Sequence, residues 1–470
     1  MSYTEPLFLL YLAVCVSVYR LCAAPFRATV LLGASYIFYF TWSPLAAGIL
    51  AVLTALTFVA ALAVENLRDA RWIAPAGAIL LAACLSAFKV ALLTPSHGIA
   101  GAVMPLGISY YTFKLISYLL EVHRGSLPAE RHFVSFAAYV AFFPQIVAGP
   151  IQRPGDFFAQ LSRNPGPATN ALPRIAWGFF KKLIVADNLA PIVNLIYAHT
   201  PGFQGFPLWA AFYLFPLQLY ADFSGLTDIA IGTGRLFGIT GPENFNRPFT
   251  ASSVSDFWRR WHMSLTNWLT DYVFLPLRMA TRDAGRVGLV LSITINMVAI
   301  GLWHGLTFGY LLFGLLNAAY LVADALTSRR RTRFFKQHPE WDGIGGWLGW
   351  LVTFHLILIA EVFFRAPHVS DAVWLLGHLS RGLVGSIPLL KASIVESGAR
   401  ALAVGLLGYI IMEVAERHRP DVAMRELYSS GPRWVRWSFY STGVVIGMFG
   451  LALLLVHTGA KKSPFLYEIF

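Results

Sequence analysis

Charge is scarce in this 470-residue chain: Asp, Glu, Lys and Arg supply 13% of it, about half the share of an average soluble domain. A soluble fold of this length needs more polar surface than that to cover itself. Cysteine is scarcer still. Cys15, Cys22 and Cys84 lie in apolar stretches without Cys-x-x-Cys spacing, which argues against a disulfide framework and a cysteine-based zinc site. The chain has no Gly-x-Ser-x-Gly elbow, no Walker loop and no His-Glu-x-x-His pair, so the commonest hydrolase, phosphotransferase and metalloprotease chemistries have no foothold. It also lacks a convincing internal repeat, which counts against an inverted-repeat transporter.

What remains is apolar: 57% hydrophobic residues, 15% aromatic, and a mean hydropathy of +0.60. This is the composition of an integral membrane protein with many spans. The first apolar stretch, near 6–22, has neither a basic leader region nor a small-residue cleavage site and reads as a retained span. Further spans are expected near 28–43, 44–64, 73–94, 102–120, 287–303, 306–326, 346–364, 399–416 and 437–458. The expectation is therefore an all-α polytopic fold with about 10–12 crossings. The stretch 371–390 contains Arg381 and reads as interfacial.

The net charge of +12 invites a nucleic-acid reading, but its placement decides otherwise. Basic residues occupy alternate loops: Arg20 and Arg27, Arg68 and Arg71, Arg124 and Arg131, with loops free of Lys and Arg between them. The second half repeats this with Arg278, Arg282 and Arg286, then the dense run Arg329, Arg330, Arg331, Arg333 and Lys336, then 417–436. By the positive-inside rule these loops are cytoplasmic and both termini lie outside. The charge is topology, with membrane lipids and not nucleic acid as the partner.

Between about 133 and 280 the pattern changes. Prolines interrupt short apolar runs, and Asp222, Asp228, Arg235, Asp256, Arg259 and Arg260 sit in apolar surroundings. Broken helices at membrane depth persist only when buried in protein or lining a wet cavity. Lys181 and Lys182, amid aromatic and aliphatic residues in 171–190, suggest a helix lying in the interface.

Two of the twelve histidines stand out. His304 ends an apolar run, after Trp303 and before the helix breaker Gly305. An imidazole near hydrocarbon needs a partner or a task, so a functional base and a buried structural histidine both fit. His262 closes the cluster Asp256-Phe-Trp258-Arg259-Arg260-Trp261-His262. Helical spacing would put Trp258 and His262 on one face and Asp256 and Arg260 on another pair of neighbouring positions. That pattern fits a cavity wall orienting a polar substrate, and equally a snorkelling interfacial helix with one ion pair. A histidine titrating near neutrality can deprotonate a hydroxyl or thiol as it attacks an acyl carbon, which suits acyl transfer.

Six blocks, in order, carry a resemblance. They are Ile108-Ser-Tyr-Tyr-Thr-Phe-Lys114, Phe143-Pro-Gln-Ile-Val-Ala-Gly-Pro-Ile151 and Gln218-Leu-Tyr220-Ala-Asp222-Phe-Ser-Gly-Leu-Thr-Asp228. Then come Glu243-Asn-Phe-Asn-Arg-Pro248, Asp256 to Leu265, and Gly301-Leu-Trp-His-Gly305. With these the chain resembles the membrane-bound O-acyltransferases, in the bacterial branch that includes alginate O-acetyltransferase and teichoic-acid D-alanyl transferase. It departs from the usual family pattern at 270–280, which lacks a paired-glycine and asparagine segment, and in its C-terminal aromatic ending.

The resemblance implies one membrane-embedded domain over 1–470, with re-entrant and interfacial helices around a central tunnel and a catalytic core at 105–320. It implies His304 as the essential catalytic residue and His262 as catalytic or substrate-orienting. Trp303, Asn296, Asp222, Tyr220 and Trp258 would line the substrate site, with no metal and no bound cofactor. The donor would be a cytoplasmic thioester, acetyl-CoA or another acyl-CoA or an acyl carrier protein, carrying an acetyl or similarly short group. The acceptor would be an extracytoplasmic acetyltransferase partner or a cell-surface polysaccharide directly, and the location a bacterial inner membrane. Acylation of a lipid or protein by the same core is an alternative, as is a non-catalytic transporter or scaffold of a polysaccharide secretion complex.

Overall fold

In the computed structural model the described residues are 3, 5–67, 72–91, 105–147, 149–166 and 171–417. Among them there are helices and no strands, as the hydropathy pattern requires. The expected span at 437–458, most of the 417–436 basic loop, Arg68, Arg71 and the C-terminal ending lie outside the described residues.

Among the described residues five helices are long and apolar enough to cross a membrane: Pro44–Asn66, Ile73–Ala91, Arg282–His304, Phe308–Gln337 and Pro339–Arg365. A sixth crossing results if Val384–Ser397 and Ala399–Arg417, bent by 89° at Gly398, count as one broken span. Pro44–Asn66 starts on a Ser43 cap that accepts from the Ala46 N–H, with Pro44 in the first turn. It leaves Val52, Leu56 and Val59 more than half exposed, as a lipid-facing helix does.

Among the described residues some of the expected spans form helices shorter than a straight crossing. The stretches expected as spans near 6–22 and 28–43 do form helices, Pro6–Leu21 and Arg27–Phe40, but these have 16 and 14 residues, short of the ~20 that a straight crossing needs. The helix Ile108–Arg124 has 17 residues and is buried along nearly its whole length. The stretch 371–390 covers most of a ten-residue helix, Val369–His378, then turns, the 3-10 segment Val384–Ser386 and the start of the helix Ile387–Ser397.

The chain divides into two compact units. Among the described residues the first is formed by the chain up to Phe179 with Gly225–Pro242. In it Tyr3, Phe8, Phe38 and Phe143 form one buried aromatic cluster, with Tyr3 stacked on Phe38 at 5.7 Å. Gly107 takes a left-handed conformation against the Ile146 carbonyl, where a Cβ would be 1.7 Å away. Two of the sequence blocks meet there. Lys114 is buried and donates to the Tyr139 carbonyl at 3.1 Å and to Gln145 Oε1 at 3.4 Å.

The second unit is Phe180–Ser224 with Glu243–Pro420, and it contains every residue expected at the site. Its Lys181 and Lys182 correct the interfacial-helix reading. They lie in a π-helical segment, Phe180–Ala186, and are 4% and 2% exposed. Lys181 meets Glu416 at 2.5 Å; Lys182 meets Asp222 at 2.8 Å and Asp187 at 2.9 Å. The i→i+5 bonding of a π segment brings Lys182 and Asp187 together. These ammonium groups do not snorkel to water because carboxylates inside the protein answer them.

Candidate active site

The site grows from a helical hairpin. Gly285–His304 and Phe308–Gln337 are joined by three residues and pack closely where both carry glycine. A Cβ on Gly301 would lie 2.3 Å from the Tyr310 carbonyl, and one on Gly314 would lie 2.7 Å from that of Met297. Small residues permit this backbone approach between membrane helices. It brings Tyr310 across the end of the first helix, where His304 is its last residue.

His304 is 8% exposed. Its ring lies 4.6 Å from Trp303, 4.8 Å from Phe364 on the Asp342–Arg365 helix, 6.1 Å from Tyr310 and 6.4 Å from Phe313. Gly305 is extended, and a Cβ there would be 2.6 Å from the Tyr310 ring, so glycine lets that ring close in. Asn296 shares the buried face of the same helix, and its Oδ1 meets no donor among the described residues.

His262 reaches the site from elsewhere in the chain. The helix Val254–Trp258 ends before it, and His262 has φ 42° and ψ 51°, a left-handed cap to the helix Met263–Leu269. Trp258 and His262 therefore do not share a helical face, which corrects the spacing argument. The pair Asp256–Arg260 does form, at 3.0 Å. A left-handed histidine costs of order 1–3 kcal/mol unless its surroundings hold it. Asn244, fully buried, does the holding: its carbonyl accepts from the Met263 N–H at 2.9 Å and its Oδ1 from the Ser264 N–H at 3.1 Å. Asn246 N–H in turn donates to the Arg260 carbonyl at 3.0 Å.

The His262 ring, 1% exposed, lies 4.7 Å from Phe223 and 5.8 Å from Trp303. His262, Trp303 and His304 thus form a continuous row of rings. His262 lies outside the helices long enough to span, and burial lowers its pKa to about 3, which keeps the imidazole neutral.

The other expected lining residues divide. Trp258 is a wall residue: it is buried, it donates to Asn317 Oδ1 at 3.2 Å, and it contacts Phe313, itself against His304. Asp222 and Tyr220 have their polar atoms engaged elsewhere, Asp222 with Lys182 and Tyr220 in a 2.5 Å hydrogen bond to Glu416. Sequence reasoning missed Phe223, Asn244, Tyr310 and Phe364. Asn244 lay in a quoted block, but only its contact with the His262 turn reveals its task. Among the described residues no three His, Cys, Asp or Glu side chains gather as a metal-ligand set.

Comparison with known proteins decides the family: the model for MBOAT, the membrane-bound O-acyltransferase family, matches residues 37–364. The chain belongs to the membrane-bound O-acyltransferases. Among its relatives, the probable alginate O-acetylase AlgI of Azotobacter vinelandii is 31% identical over 88% of this chain and 84% of its own length. A peptidoglycan O-acetyltransferase of Helicobacter pylori is 31% identical over 60% of this chain and 57% of its own. A teichoic acid D-alanyltransferase of Bacillus subtilis is 30% identical over 57% and 71%. As a member of the MBOAT family this chain is a multi-pass membrane acyltransferase, acting between an acyl donor and an acceptor. The match includes the His262–Trp303–His304 row and the hairpin that carries it.

Proposed function

We propose that this acyltransferase moves an acetyl or similarly short acyl group from a cytoplasmic thioester, acetyl-CoA or a loaded acyl carrier protein, to a cell-surface polysaccharide. Transfer is direct or runs through an extracytoplasmic acetyltransferase partner. The protein sits in a bacterial inner membrane with both termini outside, and the blocks between 105 and 320 form its catalytic core. The observation that carries this reading is a buried histidine at the end of a spanning helix, with Trp303 beside it and His262 on the far side of Trp303. The name of the Azotobacter relative, which is similar over most of both chains, supports O-acetyl transfer.

His304 takes the proton of the acceptor hydroxyl as that oxygen bonds to the thioester carbonyl carbon. Trp303 and neighbouring donors hold the carbonyl oxygen while negative charge builds on it. The tetrahedral species collapses, the C–S bond breaks, and the sulfur leaves with the proton that His304 returns. His262, neutral, orients the substrate or the Trp303 wall. The aromatic walls limit water, which would otherwise hydrolyse the thioester.

The test is His304→Ala in a strain lacking the native gene. Surface acylation is lost while the protein remains stably present in the membrane. Full restoration of acylation by that variant would overturn the catalytic assignment. A preference for medium-chain donors in an acyl-CoA competition assay would overturn the acetyl assignment alone.

A further inference from the structure

The hairpin that carries His304 has a second feature at its opposite end. There the two helices leave a groove of about 430 Å³ lined by Arg286, Val287 and Val290 on one side and Leu326, Thr327 and Arg330 on the other. Val287 is 71% exposed and Leu326 46%, so the floor is apolar and faces the hydrocarbon that surrounds a spanning helix.

The charges at its rim are uncommitted. Arg331 is taken by Asp324, and Arg282 lies beside Asp283. Arg286 and Arg330 form no ion pair with a carboxylate among the described residues. Two guanidinium groups over an apolar floor fit one ligand class, a phosphate with hydrocarbon attached. Guanidinium donors match phosphate oxygens. The Thr327 hydroxyl is already donated to the Ala323 carbonyl at 2.7 Å, and Val287, Val290 and Leu326 suit an acyl chain better than a sugar or a base. Basic pockets between membrane helices on the cytoplasmic side hold anionic headgroups for this reason. The positive-inside reading puts this end of the hairpin in the cytoplasm.

We propose that the groove is a binding site for an anionic phospholipid, with the phosphate between Arg286 and Arg330 and an acyl chain along Val287, Val290 and Leu326. The lipid occupies the cytoplasmic root of the helix that ends in His304. The site is separate from the acyl-transfer chemistry and stands whether or not that reading holds.

The test uses the full-length protein in nanodiscs of mixed phosphatidylglycerol and phosphatidylcholine, released for native mass spectrometry. Wild type retains one phosphatidylglycerol in preference to phosphatidylcholine. The double variant Arg286→Gln, Arg330→Gln lowers that occupancy about tenfold or more. A control pair, Arg329→Gln with Arg333→Gln, removes the same charge from exposed positions outside the groove and leaves occupancy unchanged. Thermal unfolding of both pairs checks that the fold is intact. Equal loss in the control pair would overturn the proposal in favour of diffuse attraction to anionic membrane. Equal retention of phosphatidylcholine would overturn the headgroup selection. Displacement of the lipid by coenzyme A or inorganic phosphate would assign the groove to a free phosphate-bearing ligand instead.

Discussion

Replacing Lys182 by Met separates two roles for Asp222, substrate contact and internal counter-ion. The Lys182 and Asp222 side chains are 2% and 3% exposed and 2.8 Å apart, so each is the other's main compensation for burial. Met keeps the aliphatic stem and removes the charge, which leaves Asp222 as a buried carboxylate beside an apolar side chain. Breaking such a pair from one side costs about 3–5 kcal/mol. Asp187, the second partner, is 28% exposed and rehydrates, so it adds little. Asp222→Val is milder because Lys182 keeps Asp187. The double variant Lys182→Met, Asp222→Val removes both charges, and its stability returns to within about 1–2 kcal/mol of wild type. The assay is denaturant unfolding of detergent-solubilised protein, followed by the fluorescence of its 14 tryptophans, beside acyl transfer in the same preparations. A counter-ion role predicts that the double variant regains stability and transfer together. A double variant that is stable but inactive would refute that reasoning and return Asp222 to the substrate. A single Lys182→Met loss below about 1 kcal/mol would show that the pair does not answer for its own burial.

Two further outcomes follow from the geometry. Gly301→Val drives a branched side chain into the Tyr310 carbonyl, 2.3 Å from where Cβ must sit, and destabilises the hairpin by about 1–3 kcal/mol or more, read as a lower unfolding temperature; unchanged unfolding would mean that the helices do not cross there. His262 resists protonation in the folded state down to about 3, whereas the unfolded chain protonates it near 6.5, so its contribution to stability falls as pH drops below 6.5 toward 3. Denaturant unfolding at pH 7.5, 6 and 5 reads this slope. His262→Gln lacks that share of it, and identical slopes in the two proteins would place the ring in water.

Hydropathy located the apolar helices well because a lipid-facing helix has no other way to satisfy its surroundings: the 44–64 expectation is Pro44–Asn66, and 287–303 lies within Gly285–His304. The end of the second helix was legible too, since Gly305 follows His304 directly. What failed was local reasoning about residues answered from far along the chain. Lys181 and Lys182 resembled snorkelling lysines because Glu416 and Asp222 are distant in sequence. Trp258 and His262 resembled helix neighbours because nothing in their spacing reveals a left-handed residue. Phe364 and Tyr310, which wall His304, look like ordinary span residues until the hairpin and the Asp342–Arg365 helix pack around it.

Scarce charge therefore has two distinct uses in this molecule, and the difference bears on mechanism. Inside the second unit two of the buried carboxylates, Asp222 and Asp324, each answer a cation, Lys182 and Arg331, while Glu361 forms no ion pair among the described residues. Around His262 and His304 the rings that the structure shows in contact are Phe223, Trp303, Tyr310, Phe313 and Phe364. A carboxylate against a catalytic imidazole would favour its protonated form. Aromatic walls apply no such bias and limit water, so on the proposed mechanism His304 would stay available to an acceptor hydroxyl and a thioester donor would be shielded from hydrolysis. The ion pairs build the frame, and on the proposed mechanism aromatic walls suit His304, because a base that must accept a proton gains nothing from holding one beforehand.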